Sequence, residues 1–408
     1  MLYGDLCTED SRIISIGATP ANFKADRIVD CRGGVLMSGF CNAHAHAAMS
    51  LFRGVADDLN LDDWLHGKIF PLEKNLTPED VYWGTLLQIA EYVRGGITCF
   101  ADMYFYPESI AAAALNSGLG LALCSTVSDA FQGDPIQYID RNYRLFSSMS
   151  DRVRYFPGIH AEYTTSEKLI EQVADFAAEC ESPTYTHLSE TLNEVGGCTV
   201  RHNGLTPPQY LHKLGFFDNG GCAAHCVYVD KDDVSLLSQS GVIPVINAGS
   251  NLKLASGVAP VVSMLERDMH PALGTDGVAS NNAASMFREM YLFACLQKER
   301  MKDASAVSAM QAIRAATEDG YRALGFDGGV LRVNGFADLV LIDTDLPNMQ
   351  PSAELPSSLV YSCGCENVRM TVASGKIVYE AGHFHIGEDI SKIYKECNAR
   401  KKRLCAAL

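Results

Sequence analysis

Eight apolar, strand-like runs separated by longer stretches of helical spacing constrain this chain more than any other feature of its sequence. They lie at 35–40, 98–103, 121–127, 153–159, 184–188, 222–227, 242–246 and 271–274. Segments with one apolar face at helical spacing fall between them, at 78–94, 107–116, 166–181 and 258–267. Thr77 followed by Pro78, Glu79 and Asp80 has the chemistry of a helix start: a capping hydroxyl, proline in the first turn and acids at the positive end of the dipole. Strands that alternate with helices imply a parallel sheet, and eight of them imply a closed (β/α)8 TIM-like barrel, an α/β fold.

Both chain ends read differently. The runs 12–17 and 27–30 near the start, and 329–333, 337–343, 368–374 and 376–380 near the end, are β in character, with turns at Asn334-Gly335 and Gly375. This predicts a small β-sandwich domain built from 1–34 plus 328–385, a barrel over 35–327 and a helical tail over 386–408. Between Asp276 and about residue 324 a long helical region is predicted. The basic cluster Arg400-Lys-Lys-Arg403 in the tail is expected to be a solvated helix end. A length of 408 residues suits one large domain plus a smaller one.

The net charge of −16 argues against a nucleic-acid polymer as partner, since phosphate binding needs a basic surface. No run of ~18 apolar residues is present, so no membrane span is expected, and the first residues show no basic-then-apolar pattern, so no secretory leader is expected. Fourteen cysteines in so long a chain are not a disulfide framework. Cys99, Cys124, Cys222 and Cys226 sit inside apolar runs and are expected to pack as free thiols in a reducing, cytoplasmic setting. Cys363-Gly-Cys365 lacks a second pair and is expected to be structural.

Active sites of such barrels lie at the C-terminal ends of the strands. The polar residues falling there are His44 and His46, His160, His187 with Glu190 three residues on, His225, and Asp276 within Gly274-Thr-Asp-Gly277. His44 and His46 are two apart, so on a strand both imidazoles face one side. The separation of His44 from His187 corresponds to about four βα units of roughly 30–40 residues each. A single histidine in an apolar run is often a satisfied core residue; this many at successive strand ends is hard to explain by packing. Three neutral imidazoles and a carboxylate suit a divalent first-row ion, with zinc the default and Fe2+ or Mn2+ also suited. Further nitrogens would overfill such a site, so His225 is held back from the ligand set. Glu190 stands well placed to move protons.

The pattern His44-x-His46, His187 with Glu190, His225 and Gly274-Thr-Asp276-Gly resembles the amidohydrolase superfamily, and within it the mononuclear-metal aminohydrolase branch. The strings Arg53-Gly-Val-Ala-Asp57, Trp64-Leu, Pro71-Leu-Glu73, Thr186-His-Leu-Ser-Glu190-Thr, Ala224-His-Cys-Val, Ser250-Asn-Leu-Lys-Leu and Thr275-Asp-Gly-Val-Ala-Ser280-Asn-Asn are similar to those of 5′-methylthioadenosine/S-adenosylhomocysteine deaminases. The resemblance implies His44, His46, His187 and Asp276 as ligands of one divalent ion. It implies His225 as the group orienting the bound water, Glu190 as proton donor to the purine ring, and Asp276 as acceptor of the water's proton. Glu73 would bind the ribose hydroxyls, and Trp64, His160 and Ser280 would contact substrate. The binuclear branch carries a modified lysine at strand four, whereas this chain has His160 there. Three departures stand out: Ser38 where a proline often precedes Gly-Phe, Ile246 where a histidine often precedes Asn247, and an abbreviated first strand.

The implied reaction is hydrolytic deamination of a 6-aminopurine nucleoside: 5′-methylthioadenosine, 5′-deoxyadenosine, adenosine or S-adenosylhomocysteine. The alternatives are an aminohydrolase of guanine, a pterin or an s-triazine, and a non-catalytic assembly or regulatory relative. The last would be expected to have lost ligands, and every ligand type is present. The sequence leaves a homo-oligomer open. Ser125 stands where an arginine for a charged 5′ tail is expected, and Arg141 and Arg144 are the next candidates. An uncharged 5′ substituent is therefore expected to be preferred.

Overall fold

A computed structural model describes residues 3–351 and 354–406. The strands, in chain order, are β1 (Asp5–Glu9), β2 (Arg12–Gly17), β3 (Gly34–Ser38), β4 (Phe40–Asn42), β5 (Ile97–Asp102), β6 (Gly120–Cys124), β7 (Val153–Phe156), β8 (Thr184–Leu188), β9 (Gly221–His225), β10 (Val242–Ile246), β11 (Ala272–Leu273), β12 (Leu339–Asp343), β13 (Val368–Ala373), β14 (Lys376–Glu380) and β15 (His383–Phe384). Strands β4 to β7 form one parallel ladder and β8 to β11 another. Two seams close the ring. At one, Gly158 bridges Tyr185, and His187 N donates to the His160 carbonyl at 3.1 Å. At the other, Ala43 N donates to Leu273 O at 2.8 Å and Asp276 N to His44 O at 3.0 Å. The eight strands therefore make a closed barrel.

The small domain is a five-stranded antiparallel sheet in the order β15-β14-β13-β12-β3, with the β1–β2 hairpin packed against it. Ile13, Leu339, Leu341, Met370 and Val372 fill the space between the two layers. The run expected as one barrel strand over 35–40 is two strands. β3 pairs with β12, with Leu36 opposite Leu341. Gly39 N then donates to Asp338 of the small domain, and Phe40 N to Gly96 of the barrel. A Cβ at Gly39 would sit 2.1 Å from Thr98 Oγ1, so the crossing between sheets requires glycine. The change of domain thus falls at Gly39, not at residue 35.

Alternation along the barrel strands explains the cysteines. Cys41 and Ala43, Cys99 and Ala101, Ala122 and Cys124, Cys222 and Ala224 point inward, and all fourteen thiols are free. Small inward side chains leave room above them for imidazoles. The outward residues, such as Phe100, Leu121, Leu123 and Ala223, pack against the helices.

Helix Pro78–Arg94 begins as the sequence predicts, with a reciprocal capping box between Thr77 and Asp80. Helix 258–267 contracts to Val261–Leu265. The long helical region after Asp276 divides into Met286–Met301, Ala309–Ala316 and Glu318–Ala323; Ser308 caps a fresh start, and Thr317 leaves helical geometry at φ −127°, ψ −95°. The basic cluster is not a solvated end. Arg400 and Arg403 both bind the fully buried Asp80 carboxylate, and Lys401 donates to the Arg53 carbonyl at 2.7 Å. The tail helix Ile390–Cys405 thereby clamps the N-terminus of Pro78–Arg94. Among the described residues no helix is long and apolar enough to cross a membrane.

Candidate active site

His44 and His46 follow β4, His160 follows β7, His187 lies near the end of β8, His225 ends β9 and Asp276 follows β11. All sit at the C-terminal mouth of the barrel. The donor atoms of His44, His46 and His187 lie within 4.8 Å of one another, as do those of His44, His225 and Asp276. Asp276 Oδ1 is 3.2 Å from His46 Nε2 and 3.7 Å from His44 Nε2. The backbone aims these groups. Ser189, His225 and Asp276 hold φ values of 51°, 73° and 60°, a region that side chains avoid and that persists where the surroundings enforce it. A Cβ at Gly274 would lie 2.4 Å from Asn247 Oδ1 and 2.7 Å from the His44 Cβ, so only glycine lets the chain bring Asp276 against His44.

The nitrogens are oriented from outside. His46 Nδ1 faces the Met103 carbonyl at 2.7 Å, and His187 Nδ1 faces the His160 carbonyl at 2.7 Å. A carbonyl only accepts, so each Nδ1 carries the hydrogen and each Nε2 faces inward. There His46 Nε2 and His187 Nε2 stand 3.4 Å apart. His44 Nε2 is buried with no hydrogen-bond partner. Converging nitrogens, one of them orphaned, beside a carboxylate fit a divalent cation.

Electrostatics divide the buried groups. Burial, with the neighbouring imidazoles, pushes His44 and His187 well below the usual histidine range. Burial lowers His160 to about 4, with His46 and His225 adding to the effect. Burial acts the same way on His46, but the adjacent Asp276 carboxylate prevails and raises it to about 9. Burial opposes ionisation of Asp276, yet its bond to His46 and the surrounding imidazoles hold it well below the carboxylate range. Gly277 N, Ser250 and Ser280 also donate to Asp276. Glu190 goes the other way: burial raises it, opposed by His225 and reinforced by the charge on Asp276. Its Oε2 lies 3.6 Å from His225 Nε2.

Glu73 is half-buried, and desolvation raises its carboxyl to about 7 against a 2.7 Å hydrogen bond from the Tyr104 hydroxyl. Trp64 is buried, and its indole N–H has no partner. The His160 ring stands 4.9 Å from the His187 ring, and its Nδ1 is 3.1 Å from Thr164 Oγ1. Ser280 is buried beside Asp276: its hydroxyl oxygen lies 2.9 Å from Asp276 Oδ2 and 2.8 Å from the Gly277 carbonyl. Several participants were not singled out from the sequence. Asn251 Oδ1 is 2.8 Å from His225 Nδ1, Ser256 Oγ donates to Glu190 Oε1 at 3.1 Å, and Glu194 accepts the backbone N–H groups of Ser189 and Glu190. Asp102 holds the turn after His46 through Ala47 N. Cys365 faces Ser285, and no metal cluster involves it among the described residues.

Residues 35–378 match the profile of the amidohydrolase family. This chain belongs to that family. Among curated relatives, the 5-methylthioadenosine/S-adenosylhomocysteine deaminase of Dictyoglomus thermophilum is 41% identical over 362 residues, covering 88% of this amidohydrolase and 84% of the relative. The 5′-deoxyadenosine deaminase of Methanothermobacter thermautotrophicus is 37% identical over 391 residues, 95% and 91% of the two chains. Among solved structures, an adenosine deaminase from Xanthomonas campestris with bound zinc superposes with a TM-score of 0.93 at 31% identity, covering 98% and 93%. An atrazine chlorohydrolase from Arthrobacter aurescens, at 20% identity and a TM-score of 0.89, shares the fold.

Proposed function

We propose that this amidohydrolase hydrolyses the exocyclic amine from a 6-aminopurine nucleoside, giving the inosine analogue and ammonia. The observation that carries this reading is the geometry at the barrel mouth: His44, His46 and His187 bring donor atoms within 4.8 Å of one another beside Asp276, and Glu190, whose carboxyl burial raises, stands with Oε2 3.6 Å from His225 Nε2. The names of the relatives supply the substrate class. His44, His46, His187 and Asp276 would hold one divalent ion, with zinc favoured by the imidazole-rich set. When bound, the ion supplies the Lewis acidity that makes water nucleophilic near neutral pH.

The residues then divide the work. His225 Nε2 orients the attacking water at C6. Glu190 delivers a proton to the adjacent ring nitrogen as the C–O bond forms. Asp276 accepts a proton from the water. That proton reaches the amine, the C6–N bond breaks and ammonia leaves, while the remaining proton of the C6 hydroxyl passes to Glu190 as the C6 carbonyl forms, so that one water is consumed for each ammonia released and Glu190 is protonated again. Glu73, held by Tyr104, would accept hydrogen bonds from the ribose diol, and Trp64 and His160 would line the base and sugar.

Glu73→Ala is expected to raise KM for nucleosides far more than for any free base, because each charge-assisted hydrogen bond contributes roughly 1.5–3 kcal/mol. Steady-state kinetics on a nucleoside and its base decide this, and equal losses on both would remove Glu73 from the ribose site.

The 5′ substituent is expected to be uncharged. Ser125 is buried and donates to the Gly158 carbonyl at 2.7 Å. Arg141 pairs with Glu108, and Arg144 with Asp140, on an exposed helix face. Near the substrate residues the rim is aromatic instead: exposed Phe105 packs on Tyr104, and exposed Tyr163 on His160. A carboxylate tail would forgo a charge-assisted pair of roughly 1.5–3 kcal/mol, or about 10- to 100-fold in kcat/KM. A screen of adenosine, 5′-deoxyadenosine, 5′-methylthioadenosine and S-adenosylhomocysteine, followed by the absorbance change on deamination, tests both the reaction and this order. Turnover of guanine, a pterin or an s-triazine alone would overturn the nucleoside reading. Equal or better use of S-adenosylhomocysteine would overturn the 5′ preference.

A further inference from the structure

His225 and Glu190 face each other, and both are held from behind by one short stretch of chain. After β10 comes helix Ala248–Lys253, and the chain then turns sharply through Ala255, which sits in the left-handed region at φ 55°. Ser256 N and Gly257 N both return to the Asn251 carbonyl, at 2.8 and 3.4 Å. The turn closes on itself and presents the Asn251 and Ser256 side chains together. Asn251 Oδ1 is 2.8 Å from His225 Nδ1, and Ser256 Oγ donates to Glu190 Oε1 at 3.1 Å. With His225 Nε2 at 3.6 Å from Glu190 Oε2, the four side chains and the turn form a closed ring. All four are buried, Asn251 and His225 at 1% exposure, so water does not compete for these bonds.

We propose that the 251–256 turn is a positioning unit: Asn251 selects the tautomer of His225, and Ser256 fixes the Glu190 carboxyl at a set distance from it. A carbonyl oxygen only accepts, so the Asn251 contact places the hydrogen of His225 on Nδ1 and leaves the Nε2 lone pair facing Glu190. Rotated into the other tautomer, His225 would offer Nε2–H to Glu190, and Asn251 would lose its bond. Ser256 restricts rotation of the Glu190 carboxyl, which otherwise has a broad terminal torsion. Neither residue touches reacting atoms. The inference rests on the reading that Glu190 and His225 work on the same substrate.

The test begins with histidine-selective 15N NMR of the metal-loaded enzyme, with His225→Gln assigning the resonance. The His225 ring is expected to show a protonated Nδ1 and an unprotonated Nε2; the reverse pattern in the unmodified enzyme overturns the proposal without any variant. Asn251→Ala is expected to shift His225 toward the other tautomer. It is also expected to lower kcat by about 10- to 100-fold, the usual cost of losing an orienting partner, with KM and metal content near those of the parent. Asn251→Asp keeps the acceptor and is expected to recover most of kcat and the parent tautomer. Ser256→Ala is expected to lower kcat with the His225 pattern unchanged, and Ser256→Thr to restore it. A parent-like spectrum in Asn251→Ala, or a kcat loss that Asn251→Asp fails to rescue, overturns the proposal. The tautomer is read without turnover, so a failure of the deamination reading stays separate from a failure of this one.

Discussion

Glu190→Gln is expected to lower kcat by about 10²- to 10⁴-fold, the usual contribution of a positioned acid–base group, with the bound metal retained. Glutamine keeps the length of the side chain and can still accept the Ser256 hydrogen bond at 3.1 Å, so the pocket holds its shape. It cannot carry the proton. Burial and the Asp276 charge raise the Glu190 carboxyl, which enlarges the fraction that arrives at the reaction protonated. Glu190 is outside the imidazole triplet, so the metal should be indifferent to its charge. Another buried carboxyl nearby, Glu194, is no substitute. Its two oxygens accept from Ser189 N at 2.8 Å and Glu190 N at 2.6 Å, and so it holds the backbone of the turn. The measurement is kcat together with metal content per chain. A variant with parental kcat would assign the proton to another group; one that loses metal as well would place Glu190 in the ligand set.

The barrel and its polar rim could be read from the sequence because both depend on local pattern. An apolar run of five or six residues ending in a polar one is a buried strand with a functional tip, wherever it falls in the chain. That is how His44, His46, His160, His187, His225 and Asp276 could be placed at one mouth before any contact was known. What local pattern cannot show is a partner distant in sequence. Leu36 and Phe40 belong to one apolar run, yet they lie in different sheets because Gly39 lets the chain pass against Thr98. Arg400 and Arg403 look like a charged tail until Asp80, far upstream, is seen beneath them. Asn251 stands in a string similar to the deaminases and Ser256 just beyond it, but nothing in either says which side chain it holds. Tyr104 follows an ordinary strand end, and its bond to Glu73 crosses between two loops.

Removal of the metal is expected to abolish turnover, and the purified chain is expected to hold one divalent ion. Without a bound ion, water has a pKa near 15.7, which a site of this kind brings toward ~7; no side chain in the pocket offers a change of that size. The argument for a single ion is geometric. The Nε2 atoms of His44, His46 and His187 gather at one point beside Asp276 Oδ1, and that arrangement uses up the strong donors facing inward. A second ion would need a bridging anionic ligand at the end of β7. His160 occupies that place, held neutral by a pKa of about 4 and turned toward Thr164 through Nδ1. His225 has its Nδ1 engaged by Asn251 at 2.8 Å, and its Nε2 is the nitrogen assigned to the attacking water. Because His46 is raised to about 9 by Asp276, an ion that binds near neutral pH must displace its proton, so metal uptake should release protons and weaken as pH falls. Elemental analysis of the purified chain, before and after chelation, with zinc returned to the stripped protein, tests this. Two equivalents bound, or full activity with none, would show that the imidazole cluster is organised for something other than one catalytic ion.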